Sequence, residues 1–222
     1  SPTPYILLAP GYKESSLGIQ VVHRLCHLLN EAGHDARLIE CEVNPAWNTP
    51  VISFEDHLAY SEGGEPFIAI YPEVVEGNPL NAPVVVRYML NREGVIEKNS
   101  MEARAEDLYF WYRSEFAGKA FQPDLLTLEA YDTSLFCDDA PVKDLDLLYL
   151  NRVPAAKIDF STLPAGIRVL SMQNPLTLAE LAAVLKRGRV MYSYESSGTC
   201  FLANLCGCPV VARTLPGYEK FA

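Results

Sequence analysis

Tyr5-Ile-Leu-Leu-Ala9 with Pro10-Gly11, the run Leu17-Gly-Ile-Gln-Val-Val-His-Arg-Leu-Cys-His-Leu-Leu-Asn-Glu-Ala32 with Gly33, and Ala36-Arg-Leu-Ile39 together decide the fold. The first segment is a short apolar run ended by turn formers, as expected of a strand buried on both faces of a parallel sheet. In the second, Leu17, Val21, Val22, Leu25, Cys26, Leu28 and Leu29 recur at three- and four-residue steps, which is one face of an amphipathic helix. Ser15 or Ser16 offers a capping hydroxyl at its start, and Gly33 stops it. The third segment returns to a strand pattern and completes a βαβ unit.

Working outward, residues 41–66 hold Asn44-Pro45, Asn48, Pro50 and two glycines, which predicts a long loop carrying an exposed Trp47. Strand patterns rich in β-branched and aromatic residues follow at 66–71, 83–88, 107–112 and 125–129. Between Phe136 and Asp146 the composition turns to Cys-Asp-Asp-Ala-Pro-Val-Lys-Asp-Leu-Asp, the best linker candidate in the chain. The pattern then restarts with strands at 147–150 and 167–171, a helix at 177–186, a strand at 190–194, a helix at 199–205 and a strand at 209–212. The expected organisation is α/β: a Rossmann-like first lobe over 1–136, a linker over 137–146, and a smaller lobe over 147–222.

At 222 residues, with 49% hydrophobic and 21% charged side chains, the chain buries a sizeable core, which excludes fibrous and disordered classes. A formal net charge of −10, with its 18 Lys and Arg scattered, argues against nucleic acid as a partner. Six cysteines without the spacing of a disulfide framework fit a reducing, cytoplasmic compartment. Ser1-Pro-Thr-Pro lacks the basic and long apolar regions of a signal peptide. Gly198, Gly207 and Pro209 break the longest uncharged stretch, so no transmembrane segment is expected, which leaves room for peripheral membrane contact.

Ligands of open α/β sheets bind beyond the carboxyl ends of the strands, where backbone N–H groups and helix N-termini hold anions. The Gly11–Gly18 loop has neither the dinucleotide spacing nor a Walker Gly-Lys-Ser/Thr. In Asn151-Arg152-Val-Pro-Ala-Ala-Lys157, two cations follow a strand, which suits a diphosphate; solvated surface charge is the bland alternative. Tyr194-Glu195-Ser-Ser-Gly-Thr199 places a carboxylate and hydroxyls at a helix start, where they either meet a sugar phosphate or merely cap the helix. Glu73 follows a strand end and is the best-placed carboxylate for base or sugar-orienting work, against the ordinary reading of a solvated loop residue. His23, His27, His34 and His57 lack matching Cys or carboxylate spacing, and Cys206-Gly-Cys208 sits among apolar residues, so no metal site is read. Tyr109, Trp111 and Tyr112 either line an acceptor site or pack in a core.

Several of these segments together resemble GT-B glycosyltransferases. The run from Ser16-Leu-Gly18 to Gly33-His34 looks like the family's first glycine loop and helix, and Thr133-Ser-Leu-Phe136 like its interdomain crossing. Leu148-Tyr-Leu-Asn-Arg152 through Lys157-Ile-Asp is similar to the Arg-x4-Lys element facing the donor diphosphate. Leu178-Ala-Glu-Leu181, Tyr192-Ser-Tyr-Glu195-Ser-Ser-Gly and Leu205-Cys-Gly-Cys-Pro209 resemble the donor-site signature of retaining nucleotide-sugar transferases (glycosyl transferases group 1). The matches keep the family's order across nearly the whole chain.

The resemblance implies two Rossmann-like lobes around a cleft, the second shortened, and transfer of a sugar from a nucleotide-diphosphate donor to a glycan or lipid-linked acceptor, as in polysaccharide biosynthesis. It implies that Arg152 and Lys157 hold the donor phosphates, that Glu195 contacts the donor sugar or ribose, and that Ser197, Gly198 and Thr199 present donors to phosphate. Gly18 would allow close approach of the first-lobe loop. No metal or other cofactor is implied, since the nucleotide-sugar is a substrate. The family's second glutamate is replaced here by the Leu202-Ala203 region, with Glu219 as a remote substitute, and the family's first-lobe histidine signature is absent. An epimerase on the same scaffold and a non-catalytic binding module remain as alternatives.

Overall fold

The computed structural model describes residues 3–118 and 122–221; of the opening Ser1-Pro-Thr-Pro stretch, Ser1 and Pro2 lie outside them. The chain divides into two units after Ala130, with residues 14–17 joining the second. The acidic segment 137–146 therefore lies inside the second unit.

The first unit is built on six parallel strands, β1 (Tyr5–Leu7), β2 (Ala36–Ile39), β3 (Val51–Ile52), β4 (Ile68–Pro72), β5 (Val84–Met89) and β6 (Leu108–Trp111), in the order β3-β2-β1-β4-β5-β6. Tyr5 pairs with Ala36 on one side and Ile68 on the other, so the strand order reverses at β1. Helix α1 (Leu17–Glu31) turns Val21, Val22, Leu25 and Cys26 inward, as its spacing dictates. It ends where Gly33, at φ +85°, brings the N–H of His34 back to the Leu29 carbonyl.

One expectation for this unit is refined and one is corrected. Residues 41–66 are mostly loop, as expected, but they also hold β3 and helix α2 (Phe54–Glu62), whose Ser53 hydroxyl accepts from the Asp56 N–H. Phe54 and Leu58 of α2 stay exposed, so the helix lacks the apolar stripe that would have announced it. The expected strand at 125–129 is corrected: only Leu125 bridges Trp111. The segment is held instead by Leu126 N donating to the Trp111 carbonyl, Tyr88 Oη donating to Leu126 O and Thr127 Oγ1 donating to Tyr112 O.

Parallel sheets are ordinarily covered on both faces, but no helix interrupts the chain between β4 and β6. An apolar groove of about 290 Å³, lined by Tyr5, Leu25, Val86, Leu108 and Phe110, lies over these strands.

The second unit has four parallel strands, β7 (Leu145–Leu150), β8 (Arg168–Ser171), β9 (Gly188–Ser193) and β10 (Val210–Ala212), in the order β10-β9-β7-β8. Here the order reverses between β7 and β9, its topological switch point. Helix α3 (Leu178–Lys186) begins at a capping box formed by Thr177 and Glu180, and α4 (Gly198–Leu205) begins at Ser197. Leu147, Leu185, Met191, Ala203, Cys206 and Cys208 form its core, and burial pushes the thiols of Cys206 and Cys208 up to about 11. They pack as small apolar residues. The acidic segment is laced to this unit: Asp139 pairs with Lys186, Asp144 with Arg187 and Asp146 with Arg189.

Among the described residues no helix is long and apolar enough to cross a membrane. All six cysteines are free thiols.

Candidate functional site

At the β7–β9 switch point, the chain leaving β7 turns through Asn151, Arg152 and Val153, and their N–H groups point into one small concavity. Glu195, just past β9, fills it. Its Oε1 accepts from Asn151 N at 2.6 Å, Arg152 N at 3.0 Å and Val153 N at 3.5 Å, while Oε2 accepts from Arg152 N at 3.1 Å. The Arg152 guanidinium adds a contact to Oε2 at 3.5 Å, and the Glu195 side chain has no solvent exposure. A run of successive backbone N–H groups is an anion-binding concavity; here the anion is the protein's own.

Glu195 is itself locked. Ser193 Oγ donates to the Glu195 carbonyl at 2.6 Å and accepts from its N–H at 3.2 Å, and Cys200 Sγ reaches the same carbonyl at 3.5 Å. Arg152 is different. Its side chain is 28% exposed, Glu195 holds one corner, and the Phe221 ring lies 5.8 Å from the guanidinium carbon. Among the described residues its remaining guanidinium N–H groups donate to nothing. Phe221 also ties this edge together by accepting, through its carbonyl, the N–H of Ser196.

Lys157 ends a single 3₁₀ turn, Ala155–Lys157, anchored by buried Ile158. Its ammonium is exposed and, among the described residues, has no carboxylate partner. Ser197 caps α4 by accepting from the Cys200 N–H at 3.4 Å. Burial raises the pKa of the Tyr149 phenol of β7, and the neighbouring Thr199 and Ser197 side chains oppose that shift. Gly198 opens α4 because space demands it: a Cβ there would stand 2.7 Å from a side-chain carbon of Leu17, which belongs with this unit. The structure thus brings Arg152, Glu195, Ser197, Gly198 and Thr199 to one edge of the second sheet, where Lys157 follows the same strand as Arg152.

The remaining candidates belong to the first unit. Gly18 is the second residue of α1, and a Cβ there would meet only Leu90 at an ordinary 3.9 Å, so nothing in its surroundings demands glycine. Glu73 is not the solvated loop residue of the ordinary reading but 4% exposed. Its Oε2 accepts from Leu90 N at 3.1 Å, just past β5. Burial pushes its carboxyl up, and the N–H groups of Glu73, Leu90 and Asn91 only partly offset this.

Leu202 and Ala203 are buried, so α4 presents no carboxylate at the place the resemblance puts a second glutamate. Glu219 folds onto its own turn, accepting from Gly217 N at 3.0 Å. Tyr109 and Trp111 stack at 5.4 Å as half-buried neighbours, and Tyr112 is buried.

Sequence reading missed a cluster at the carboxyl end of the first sheet. Trp47 is half-buried rather than exposed, with Tyr12 edge-on at 5.4 Å, His27 stacked at 6.1 Å and Arg24 5.5 Å from its centroid. His23 Nε2 meets the Pro10 carbonyl at 2.9 Å, and burial lowers its pKa. Only the three-residue spacing of Arg24 and His27 hinted at this group. Buried Arg87 also escaped notice; it bonds Asp107 at 2.9 Å and the carbonyls of Val75 and Gly77.

Comparison with family models and with curated proteins gives no match for the chain. Among solved structures it is similar to the spinosyn rhamnosyltransferase SpnG, with TM-score 0.55 and 11% identity over 98% of this chain and 82% of that one. It is likewise similar to the spinosyn forosaminyltransferase SpnP, with TM-score 0.53 and 12% identity over 97% and 81%. At such identity the likeness is one of fold: two Rossmann-like units of the GT-B kind.

Proposed function

We propose that the protein is a glycosyltransferase that takes a sugar from a nucleotide-diphosphate donor bound at the β7–β9 edge of the second unit and passes it to a glycan or lipid-linked acceptor. The observation that carries this reading is the Arg152 guanidinium at a topological switch point, held at one corner with its other donors unspent. A planar fork of N–H groups matches a diphosphate bidentately. Lys157 adds a point charge, and the start of α4 adds hydroxyls at the positive end of a helix. Charge distribution agrees: the second unit carries nine basic against ten acidic side chains, the first nine against eighteen. The strong acid excess belongs to the first unit, not to the one that carries the proposed anion site.

In this reading the chain's own contribution to the reaction is neutralisation of the departing diphosphate by Arg152 and Lys157, with Ser197 and Thr199 orienting it. Glu73, its carboxyl raised by burial, is the first-unit candidate for proton transfer. A second reading, a binding module without turnover, draws on α4: the buried Leu202 and Ala203 leave no carboxylate there for a ribose.

A thermal-shift screen of UDP, GDP, TDP, ADP and CMP tests the site. One nucleotide should raise the melting temperature, since a ligand that binds only the folded chain stabilises it by mass action. Arg152→Ala with Lys157→Ala should abolish the shift, each lost charge-assisted contact weakening binding by about tenfold or more. A shift that survives the double substitution removes the site. With the responding nucleotide's sugar as donor, hydrolysis or transfer separates the enzyme from the binding module.

A further inference from the structure

We infer that Glu195 is a positioning residue that sets the Arg152 guanidinium for a diphosphate, rather than a group that touches the donor; this rests on the diphosphate site proposed above. Contact with a sugar would require carboxylate oxygens with free lone pairs facing solvent. Glu195 has neither, because both oxygens are spent on the three N–H groups of Asn151–Val153 and on Arg152, and its side chain is fully buried. The bonds to Asn151 and Arg152 link points 44 and 43 residues apart in sequence. They fasten the turn after β7 to the turn after β9 across the switch point.

The consequence for Arg152 is specific. Its main chain is fixed by Oε1 and Oε2 through its own N–H, and its guanidinium is drawn to Oε2. A carboxylate is required, since it accepts at both oxygens, whereas an amide would turn an N–H₂ toward backbone donors. The Phe221 ring limits the guanidinium beside this contact. Preorganising a flexible cation reduces the ordering cost of ligand binding.

The test measures inorganic pyrophosphate binding by calorimetry on the full chain. Glu195→Gln should weaken binding by about tenfold or more, and Glu195→Asp, which keeps the charge, should restore part of it. In an Arg152→Ala background, Glu195→Gln should cause little further loss, because coupled residues are not additive. Leu185→Ala, buried in the core at α3, should lower the melting temperature while leaving pyrophosphate affinity unchanged, which separates positioning from general stability.

Failure of wild-type protein to bind pyrophosphate would overturn the diphosphate reading and this inference with it. Equal affinity of wild type and Glu195→Gln would overturn the positioning role alone. Tighter binding by Glu195→Gln would overturn it too, making Glu195 a plug that occupies a phosphate nest. Should Glu195→Gln not fold, hydrogen exchange of wild type decides: slow exchange at Asn151 and Arg152 supports the clasp, and fast exchange there overturns it.

Discussion

Glu73 and Glu195 stand at matching places in the two units, each just past a parallel strand, each buried, and each turned to the backbone N–H groups that follow the neighbouring strand. What surrounds them differs. Glu195 has a guanidinium against one oxygen, and that guanidinium reaches solvent. Among the described residues Glu73 has only backbone donors, and burial raises its carboxyl. The comparison teaches that one device, a glutamate closing a strand end, serves two settings. With a guanidinium beside it, it holds that cation where it reaches solvent; with backbone donors alone, burial raises its carboxyl above the ordinary value.

The units also differ in how they pair charge. The first hides Arg87 and Asp107 completely, with Arg104 as a third member. Burial pushes Asp107 up, but the Arg87 and Arg104 guanidiniums and the Arg104 N–H outweigh it and hold the carboxyl below the usual range. The second unit pairs Asp144 with Arg187 and Asp146 with Arg189 at its surface.

Breaking the buried pair should have the largest effect. Asp107→Ala strands the Arg87 charge and should cost about 3–5 kcal/mol in urea unfolding; a loss under about 1 kcal/mol would erase the contrast with surface pairs. Because the folded Asp107 value is lowered, its contribution is present above the ordinary aspartate value. It is lost as pH falls through the folded value.

Glu73→Gln sharpens the comparison of the two glutamates. With a raised folded value, the Glu73 contribution is full below the ordinary glutamate value and fades as pH rises through the folded one. The variant should therefore melt higher than wild type at pH 8, and the gain should vanish near pH 4; a gain independent of pH would show that titration is not its source. Thr177→Ala, which removes the capping box of α3, should cost about 1 kcal/mol. Asp144→Asn should be smallest, below about 1 kcal/mol in the same unfolding measurement, since its pair is solvated.

Much of the fold was legible because its signals are local. The spacing of Leu17 to Leu29 marks α1, and Thr177 with Glu180 marks the start of α3. Helix α2 was not legible, because its apolar residues are few and partly exposed and its cap is a lone Ser53-x-x-Asp56. The 125–129 segment carries strand-forming residues, yet only one of them finds a ladder partner. Propensity without a neighbour does not make a sheet.

The proposed site divides in the same way. Arg152, Lys157 and the hydroxyls before α4 were visible as chemistry following strands, because residue type and a preceding apolar run suffice to name them. The engagement of Glu195 was not visible, since its partners lie more than forty residues away and are backbone N–H groups, which every sequence has and none displays.

The sequence by itself determined the alternation of strands and helices, the acid excess of the first unit and the cations that follow β7, because periodicity, charge and order along the chain are properties of the residues. Only the tertiary structure decided which strands lie side by side, where their order reverses, and that Glu195 closes a turn. Pairing between distant strands is set by burial and hydrogen bonding across the whole sheet, which no local pattern encodes.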